Sequence, residues 1–570
     1  IECTQWPPSE SKMPRKMKNT LHTLIQKEYL VKCYYRTNVN VLKELILQKD
    51  AKFKPVWEKH TCSNSPICYE GGNLYFDSYK TCMRLCGHGN FPQKSYELNQ
   101  HVKQHKIEDA LTAEVPLEHL PLENEGWRSS FFALTKDSWF IRYGLMTGKK
   151  LEAIFLSRKH SFRSMAWNID GYSISMKSTH PNPPRNPSVP LENKETTIVA
   201  VAVFDVFPIK CRGLLEVKKT IFGQDATDAQ VSLDALVVCH SNDIVKIYSW
   251  EHILEEGRQF EIRIGERHNG EEIGSYPHGI PANVILEEAP PILFQIKTSQ
   301  HNLVIGGIPF HYIMCPPKTE SHFQVYSLES QVMAKNGDLQ MSSTSIERDR
   351  CYFHADDSGR ILHVGSDELS ISRIIDSNGN SSSENESEEK FEIVKEFGIS
   401  SCDLKQKSVP SKNQVDGFTV TMSGRLVRRR QSDLEDSFDC DYGCIQHVDY
   451  ENEMDMIVLT ATYPVEGEMT GFVCMVDNYT GKILKKIKLD EPWKEFHDHT
   501  MIVDLDTIIH ITKAPMRKFS CYIHRLDRSL EDEEIPAAKK SQNIQSPPNF
   551  RRVAIRRGRT ARRQRNGDVE

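Results

Sequence analysis

The segment GFVCMVDNYTGKILKKIKL (471–489) contains two apolar runs that are separated by a short polar turn. Four other segments repeat this arrangement: SWFIRYGLMTGKKLEAIFL (138–156), LVVCHSNDIVKIYSW (236–250), CYFHADDSGRILHVG (351–365) and GFTVTMSGRLVRRR (417–430). Runs of β-branched and aromatic residues on both sides of a turn are typical of a β-hairpin. A hairpin that recurs along the chain indicates a repeat architecture. The sequence therefore predicts an all-β fold built from similar hairpins.

Four of the five turns end in a glycine that follows Ser or Thr and precedes Lys or Arg, namely Gly148, Gly359, Gly424 and Gly481. Glycine adopts a left-handed backbone without steric cost, which suits the last residue of such a turn. With Asp243 as the fifth marker, the intervals are 95, 116, 65 and 57 residues. Propeller blades span about 40 to 50 residues, so the longer intervals correspond to two blades each. We predict a divergent seven-bladed β-propeller, within a range of six to eight blades.

Other apolar segments supply the strands that this count requires. They are 66–80, which has a Gly-Gly turn, 196–207, 214–222, 290–298, 310–315, 323–328, 506–513 and 518–526. A chain of 570 residues exceeds a usual single core, but a propeller of this size folds as one unit because its blades stack radially.

Composition describes an ordinary globular protein with polar insertions. The formal net charge is −6, and 38% of the residues are hydrophobic. The longest apolar stretch, Ile198 to Phe204, is far shorter than the roughly 20 residues of a membrane-spanning helix, so no membrane insertion is predicted. The first 20 residues contain no apolar signal region, and the 15 cysteines are an odd number. We therefore expect an intracellular protein with reduced thiols, in which the glycosylation motif at Asn478 is a chance match.

The domain organisation follows from these patterns. Residues 1–18 are predicted to be disordered, 19–60 to form a helical segment and 61–530 to form the propeller. Insertions are predicted at 177–195, which is rich in proline, at 376–415, whose run DSNGNSSSENESEE (376–389) has no apolar residue, and at 431–447, which contains the acidic run LEDSFDCD (434–441). Residues 531–570 are predicted to be a disordered tail that ends in a basic segment.

The basic segment holds most of the positive charge of the tail. From Lys539 onward there are ten Lys or Arg and two acidic residues. A run of this kind is recognised by nuclear import receptors or by nucleic acid, and the alternative is a solvated tail without a partner. The predicted targeting residues are Arg551, Arg552, Arg556, Arg557, Arg559, Arg562, Arg563 and Arg565.

Two short amphipathic helices are predicted ahead of the propeller. Leu21 and Ile25 recur at helical spacing in the first, and Leu42, Leu45 and Ile46 form one stripe in the second. These apolar faces need a partner. Either they pack on the outside of the propeller itself, or they insert into a groove on another protein.

Motifs for catalysis and metal binding are weak. The sequence has no GxSxG elbow, no phosphate-binding GxxxxGK[ST] and no HExxH. Zinc-type ligands occur in two single sets, Cys82-x3-Cys86-x-His88 and Cys440-x3-Cys444-x2-His447, and His497-Asp498-His499 could bind a metal or form a polar loop. We predict no catalytic residue, no cofactor and no metal, which favours a binding scaffold over an enzyme.

Several segments, in order, carry a resemblance to a known family. They are 36–60, SPICYEGGNLYFDSYKTC (65–82), KIEDAL (106–111), 221–229, IGGIPFHYI (305–313), AKNGDLQ (334–340), YFHADDSGRILHVG (352–365), VDYENEMDM (448–456) and FSCYIHRL (519–526). With these segments the chain resembles the substrate-receptor factors associated with the damage-specific DNA-binding adaptor and cullin-4, specifically the family of the seventeenth member. The resemblance runs from about residue 33 to about residue 526.

The resemblance implies a non-catalytic subunit of a cullin-4 RING ubiquitin ligase, which binds the adaptor, presents protein substrates and resides in the nucleus or nucleolus. Many receptors of that class carry a Trp-Asp-x-Arg box, but no Trp-Asp dipeptide occurs here. Tyr248-Ser249-Trp250-Glu251 stands where such a box would fall. We therefore expect the helical segment to dock the adaptor through Leu21, Ile25, Leu42, Leu45 and Ile46. The alternative function is a nuclear or nucleolar scaffold, or an RNA-associated propeller, that contacts nucleic acid through the basic tail.

Overall fold

The structure is a computed structural model, and most of its described residues lie in β-strands. The described residues are 39–61, 67–85, 92–98, 106–114, 129–168, 173–179, 197–232, 234–298, 303–307, 310–315, 322–340, 350–376, 391–404, 418–420, 426–428, 443–465, 467–516 and 518–527. The first element is helix α1, residues 39–47, and strand β1 (Phe53–Thr61) follows it.

Among the described residues, eight four-stranded antiparallel units, here called blades 1 to 8, follow one another in chain order. Blade 1 consists of β2 (Cys68–Glu70), β3 (Asn73–Phe76), β4 (Thr81–Arg84) and β5 (Gln93–Glu97). Blade 2 consists of β6 (Ile107–Glu114), β7 (Ser129–Thr135), β8 (Trp139–Gly144) and β9 (Lys150–Phe155). Blade 3 consists of β10 (Phe162–Trp167), β11 (Ser173–Ser178), β12 (Thr197–Val206) and β13 (Ile209–Lys218).

Helix α2 (Lys219–Phe222) leads into blade 4, whose last strand comes after an insertion. Blade 4 consists of β14 (Ala226–Ser232), β15 (Ala235–His240), β16 (Ile244–Ser249) and β19 (Ile292–Lys297). The insertion contains helix α3 (Trp250–Gly257) and the small hairpin of β17 (Arg267–His268) and β18 (Glu271–Glu272). It crosses blade 3 and reaches blade 2, where the backbone N–H of Ile280 donates to the carbonyl of Leu156 at 2.8 Å.

The second half of the chain completes the series. Blade 5 consists of β20 (Leu303–Gly306), β21 (His311–Met314), β22 (His322–Ser327) and β23 (Met333–Gln340). Blade 6 consists of β24 (Arg350–Phe353), β25 (Ile361–Val364), β26 (Glu368–Asp376) and β27 (Phe391–Ser400), and a 3-10 turn (Ser401–Leu404) follows it. One parallel bridge, between Lys335 and Glu392, joins these two blades.

After a separate hairpin of β28 (Phe418–Val420) and β29 (Leu426–Arg428), the last two blades form. Blade 7 consists of β30 (Cys444–Glu451), β31 (Met456–Val465), β32 (Glu468–Asp477) and β33 (Ile483–Pro492). Blade 8 consists of β34 (Asp498–Asp504), β35 (Thr507–Ala514), β36 (Lys518–Leu526) and the N-terminal β1, which pairs antiparallel with β36.

Apolar clusters close the blades into a ring. The described core divides into eight clusters, and each one draws buried side chains from two consecutive blades. Tyr75 of blade 1 shares a cluster with Phe131 of blade 2, and Ile509 of blade 8 shares one with Leu74 of blade 1. The described residues therefore form a β-propeller of eight blades, which confirms the predicted fold class at the upper end of its range. The preferred count of seven was one short because strands as short as β2 leave no long apolar run.

The five similar segments do not occupy equivalent places in the ring. Residues 138–156 cover the third and fourth strands of a blade, 236–250 the second and third, and 351–365 the first and second. Residues 417–430 contribute to no blade, because they form the separate β28–β29 hairpin. The intervals between the turns therefore do not measure a blade period. The turn geometry itself is confirmed at Gly148, Gly359 and Gly481, where φ is +65°, +76° and +69°, whereas Gly424 lies outside the described residues.

Four predicted boundaries need correction. Residues 53–60, assigned to the helical segment, form the outer strand of blade 8, because the ring closes by pairing the two ends of the chain. Strand β27 lies inside the predicted insertion 376–415, and β30 begins inside the predicted insertion 431–447. The proline-rich insertion 177–195 begins within β11 and is otherwise outside the described residues. Within the described ranges, no helix has the length and apolar character needed to cross a membrane.

Candidate functional site

Among the described residues, the interface between blades 4 and 5 has the fewest buried apolar side chains. Its apolar cluster contains five buried residues among those described, whereas the next smallest clusters contain eight. Eight further apolar residues at this interface are only partly buried. A cavity of about 330 Å³ occupies the space between the two blades. We call this cavity the interblade slot.

The wall on the blade 4 side follows from the alternation of β15 and β16. Leu236 and Val238 point toward blade 3 and are buried there. Their neighbours in the strand, Val237 and Cys239, face the other way and line the slot, because successive side chains of a strand point to opposite faces. Ile247 of β16 extends this wall. The same strands thus fill one interface and leave the other partly open.

Blade 5 supplies the opposite wall and part of the mouth. Leu303 and Ile305 of β20 line the slot, and Phe310 lies at its edge with 54% of its surface exposed. On blade 4, Leu293 also lines the slot and is 51% exposed. Large apolar side chains that remain exposed at a concave site are typical of a binding surface.

A β-bulge explains the position of Leu293. Ile247 pairs with Phe294 and Tyr248 pairs with Ile292, so Leu293 is the extra residue of β19. A bulge turns the side chain of its extra residue away from the regular alternation of the strand. The bulge therefore places a leucine at the mouth of the slot.

The slot is long enough for an extended peptide. Ala235 and Ser249 line one end of it, and His240 and Ile244 line the other end. These residues are the two ends of β15 and β16, strands of six residues each. At about 3.3 Å per residue, the slot extends for roughly 17 Å.

The polar lining of the slot carries negative charge. Asp234 and Asp243 lie in the turns at its opposite ends, and none of the described lining residues is Lys or Arg. The ring of His240 is buried, and its Nδ1 lies 3.0 Å from Oδ1 of Asp225. That hydrogen bond lowers the pKa of Asp225, so Nδ1 donates to a carboxylate. His240 follows Leu236 and Val238 in the alternation of β15, so its ring lies on the blade 3 side of the strand, where its Nε2 has no hydrogen-bond partner among the described atoms.

This arrangement can bind a ligand that combines apolar side chains with N–H donors. The apolar walls favour apolar side chains, and the two end carboxylates favour a donor-rich ligand. Among the described residues, no group of three His, Cys, Asp or Glu side chains could hold a metal ion.

The predicted docking residues lie elsewhere. Leu21 and Ile25 are outside the described residues. Ile46 of α1 is fully buried in the cluster between blades 7 and 8, and Leu42 and Leu45 pack against the same cluster. These three side chains of α1 therefore pack on the propeller itself, which is one of the two alternatives that the sequence left open. Ile46 is enclosed by its own chain.

Two hydrogen bonds and one exposed residue define the orientation of α1 on the propeller. Nζ of Lys43 donates to the carbonyl of Met454 at 2.6 Å, and Lys485 donates to the carbonyl of Gln48. Val41 points outward and is 50% exposed. The outward face of α1, rather than its buried stripe, is thus the part that another protein can reach.

The other sequence candidates are separated from the slot or not described. The eight arginines of the basic tail, together with Cys86, His88 and Cys440, lie outside the described residues. Trp250 is the first residue of α3 and directly follows the third strand of blade 4, but only 2% of it is exposed. His499 is the second residue of β34 rather than part of a loop, because the strand begins at Asp498.

Sequence reasoning missed a buried polar network between blades 6 and 7. Nη2 of Arg360 lies 2.5 Å from Asp356 and 2.7 Å from Oδ1 of Asn478, and the Asn478 amide donates to Asp455 at 2.7 Å. Asn478 is fully buried, so its glycosylation motif is not accessible. The signal was available in YFHADDSGRILHVG, where an arginine and two aspartates interrupt an otherwise apolar hairpin.

The fold is that of a β-propeller with an apolar cavity between two of its blades. A family profile, described as DDB1- and CUL4-associated factor 17, matches residues 37–526. The chain belongs to the DDB1- and CUL4-associated factor 17 family, which confirms the resemblance. The human protein of that name is 34% identical over 510 residues, covering 88% of this chain and 94% of the human one. The zebrafish (Danio rerio) protein is 32% identical over 508 residues, covering 87% and 92%.

Solved structures with a similar fold are distant in sequence. The C-terminal WD40 domain of Sif2 is 8% identical with a TM-score of 0.39, covering 83% of this chain and 98% of that one. BamB from Moraxella catarrhalis is 7% identical with a TM-score of 0.33, covering 82% and 97%. The eight-bladed ring follows from the strand pairing and the interblade clusters of this chain itself.

Proposed function

We propose that this chain is a non-catalytic substrate receptor of a cullin-4 RING ubiquitin ligase, and that it associates with DDB1 and CUL4. The observation that carries this proposal is family membership over residues 37–526, at 34% identity to a human protein named for that association. A receptor of this kind contributes proximity: it holds a substrate near the ubiquitin-transfer machinery and performs no bond chemistry itself.

The interblade slot is the proposed site for the substrate. Its apolar walls, exposed Leu293 and Phe310, and acceptor-rich ends suit an extended segment of another protein. Affinity purification of the intact chain and of a Leu293→Arg variant, followed by mass spectrometry, tests this role. The proposal expects DDB1 and CUL4 with both proteins and a loss of other captured proteins with the variant. Absence of DDB1 from the intact chain would contradict the ligase role.

For adaptor docking, the outward face of α1 is the proposed surface. A Val41→Asp change places a charge on that face without entering the core, since Val41 is half exposed. Val332, a valine that is 47% exposed on blade 5, provides a matched control. Co-purification with DDB1 should fall at least tenfold for Val41→Asp and stay unchanged for Val332→Asp. Equal co-purification of DDB1 with the Val41→Asp and Val332→Asp variants would show that the docking surface is not the outward face of α1. The predicted helix that contains Leu21 and Ile25 would then be the next candidate.

We also propose a nuclear and nucleolar location, directed by the basic tail. The support is the density of arginine between residues 551 and 565. Replacing these eight arginines by glutamine in a fluorescent fusion should shift the protein to the cytoplasm. An unchanged nuclear signal would remove the targeting role from the tail.

A further inference from the structure

We propose that the interblade slot binds the C-terminal tail of the same chain, residues 551–557, in an extended conformation. The tail then competes with any substrate segment for the slot. This inference rests on the proposed function in one respect: the ligand that competes with the tail is a substrate. The binding of the tail itself does not depend on ubiquitination.

The tail sequence matches the chemistry of the slot. Residues 551–557 read RRVAIRR. In an extended chain, side chains two residues apart share a face, so Arg551, Val553, Ile555 and Arg557 lie on one side. That face presents two β-branched apolar side chains between two arginines. The slot presents apolar walls between two carboxylates, those of Asp234 and Asp243.

The dimensions also agree. Arg551 and Arg557 are six residues apart, which is about 20 Å in an extended strand. The slot runs for roughly 17 Å between the turns that carry Asp234 and Asp243, and an arginine side chain covers the difference. The arginines can therefore reach both carboxylates while Val553 and Ile555 contact the apolar walls.

The connection from the propeller to the tail is long enough. The described chain ends at Asp527, which pairs with Lys54 beside blade 8, on the opposite side of the ring from blade 4. Residues 528–550 can span up to roughly 75 Å when extended. Two four-stranded blades on either side of a channel measure on the order of 50 Å. An intramolecular contact is therefore within reach, at an effective concentration in the millimolar range.

The test uses the full-length chain and a fluorescent peptide of residues 549–559. Val553→Asp plus Ile555→Asp disables the tail of the protein without touching the propeller. The tail-disabled chain should bind the peptide at least tenfold more tightly than the unaltered chain, because the unaltered chain already occupies its slot. Equal binding by the two proteins would overturn the proposal.

Matched variants separate the slot from general charge attraction. In the tail-disabled chain, Leu293→Arg should reduce peptide affinity at least tenfold, whereas Ile285→Arg should leave it unchanged, since Ile285 is 56% exposed but does not line the slot. A peptide with Val553 and Ile555 replaced by serine keeps every arginine and should not bind. Equal effects of Leu293→Arg and Ile285→Arg, or equal binding of the serine peptide, would overturn the proposal.

Crosslinking identifies the occupant directly. A photoreactive residue in place of Ala554 in the full chain should attach to slot residues and give a product of monomer mass. A product of dimer mass would show that a second copy fills the slot, and attachment outside blades 4 and 5 would place the tail elsewhere; either result contradicts the proposal. DDB1 co-purification, measured in parallel with the tail-disabled chain, distinguishes a failure of the tail proposal from a failure of the proposed function.

Discussion

Nδ1 of His510 lies 2.6 Å from Oε1 of Glu491, and the surrounding hydrogen bonds define the charge of this pair. Nε2 of His499 lies 2.9 Å from the carbonyl of Lys494, so it donates there. Nδ1 of His499 must then accept from Nε2 of His510, 2.9 Å away. Both ring nitrogens of His510 therefore donate, and a buried imidazolium faces a carboxylate at the junction of blades 7 and 8.

Replacing Glu491 by glutamine should destabilise the propeller. Burial alone would raise the pKa of Glu491, but hydrogen bonds from His510 and His524 outweigh it and hold the pKa far below its ordinary value. The variant leaves the imidazolium of His510 buried without a counter-charge, which typically costs about 3–5 kcal/mol. Urea unfolding measures the loss, and Glu255→Gln on the exposed side of α3 is the control. A loss below about 1 kcal/mol would contradict the charged pair.

Stability should also fall as the pH drops from about 6.5 to about 4. Burial lowers the pKa of His499 from its ordinary value of 6.5 to about 4, whereas the unfolded residue keeps the ordinary pKa. Between these values the unfolded chain binds the additional proton, so the free energy of unfolding decreases toward acid, by up to about 1.4 kcal/mol per pH unit. The groups that face this ring are Lys494, His497, Asp498 and His510.

His499→Gln is the variant that isolates this effect. Thermal unfolding midpoints measured from pH 7 to pH 4 should decline less steeply for His499→Gln than for the unaltered chain. His278→Gln is the matched control, since the His278 side chain is 41% exposed. Parallel pH profiles for the unaltered chain and the His499 variant would exclude His499 as the titrating group.

Arginine at position 360 should not be replaceable by lysine. Arg360 is 1% exposed, and its fork contacts Asp356 and both the backbone and the side chain of Asn478. Lysine carries the charge but cannot form this bidentate set, so a loss of about 2–4 kcal/mol is expected. Arg373→Lys is the control, because the side chain of Arg373 is 55% exposed although it also pairs with a glutamate. Equal urea midpoints for the two variants would show that the network contributes nothing specific.

Alanine at Gly481 should be more harmful than alanine at Gly467. Both glycines have left-handed backbones, with φ of +69° and +84°. A Cβ at Gly481 would lie 2.4 Å from the ring of Phe397 on blade 6, whereas a Cβ at Gly467 would meet nothing within 4 Å. Backbone strain is common to both changes, so their difference in unfolding free energy, on the order of 1–3 kcal/mol, reports the collision between blades. Similar losses in urea unfolding would mean that Phe397 moves aside without cost.

The strand-turn-strand pattern predicted the fold class because period-2 apolar runs and turn glycines are local properties. The blade count and the domain boundaries depended on partners that are remote in sequence. β1 was assigned to a helical segment because FKPVWEKHT lacks a clean alternation, and only pairing with β36 makes it a strand. The stripe of α1 was detected correctly, but whether Ile46 meets its own propeller or another protein depends on tertiary packing.

By itself, the sequence determined an all-β propeller, the family, the absence of recognisable catalytic motifs and the arginine-rich tail, because turn chemistry, ordered motifs and charge are written along the chain. Only the tertiary structure decided where the ring closes, which apolar faces are satisfied and where one remains open. The interblade slot arises from Val237 of blade 4, Leu303 of blade 5 and a bulge at Leu293. No local pattern encodes a gap between two blades, since it depends on how far two separately formed sheets fill the space they share.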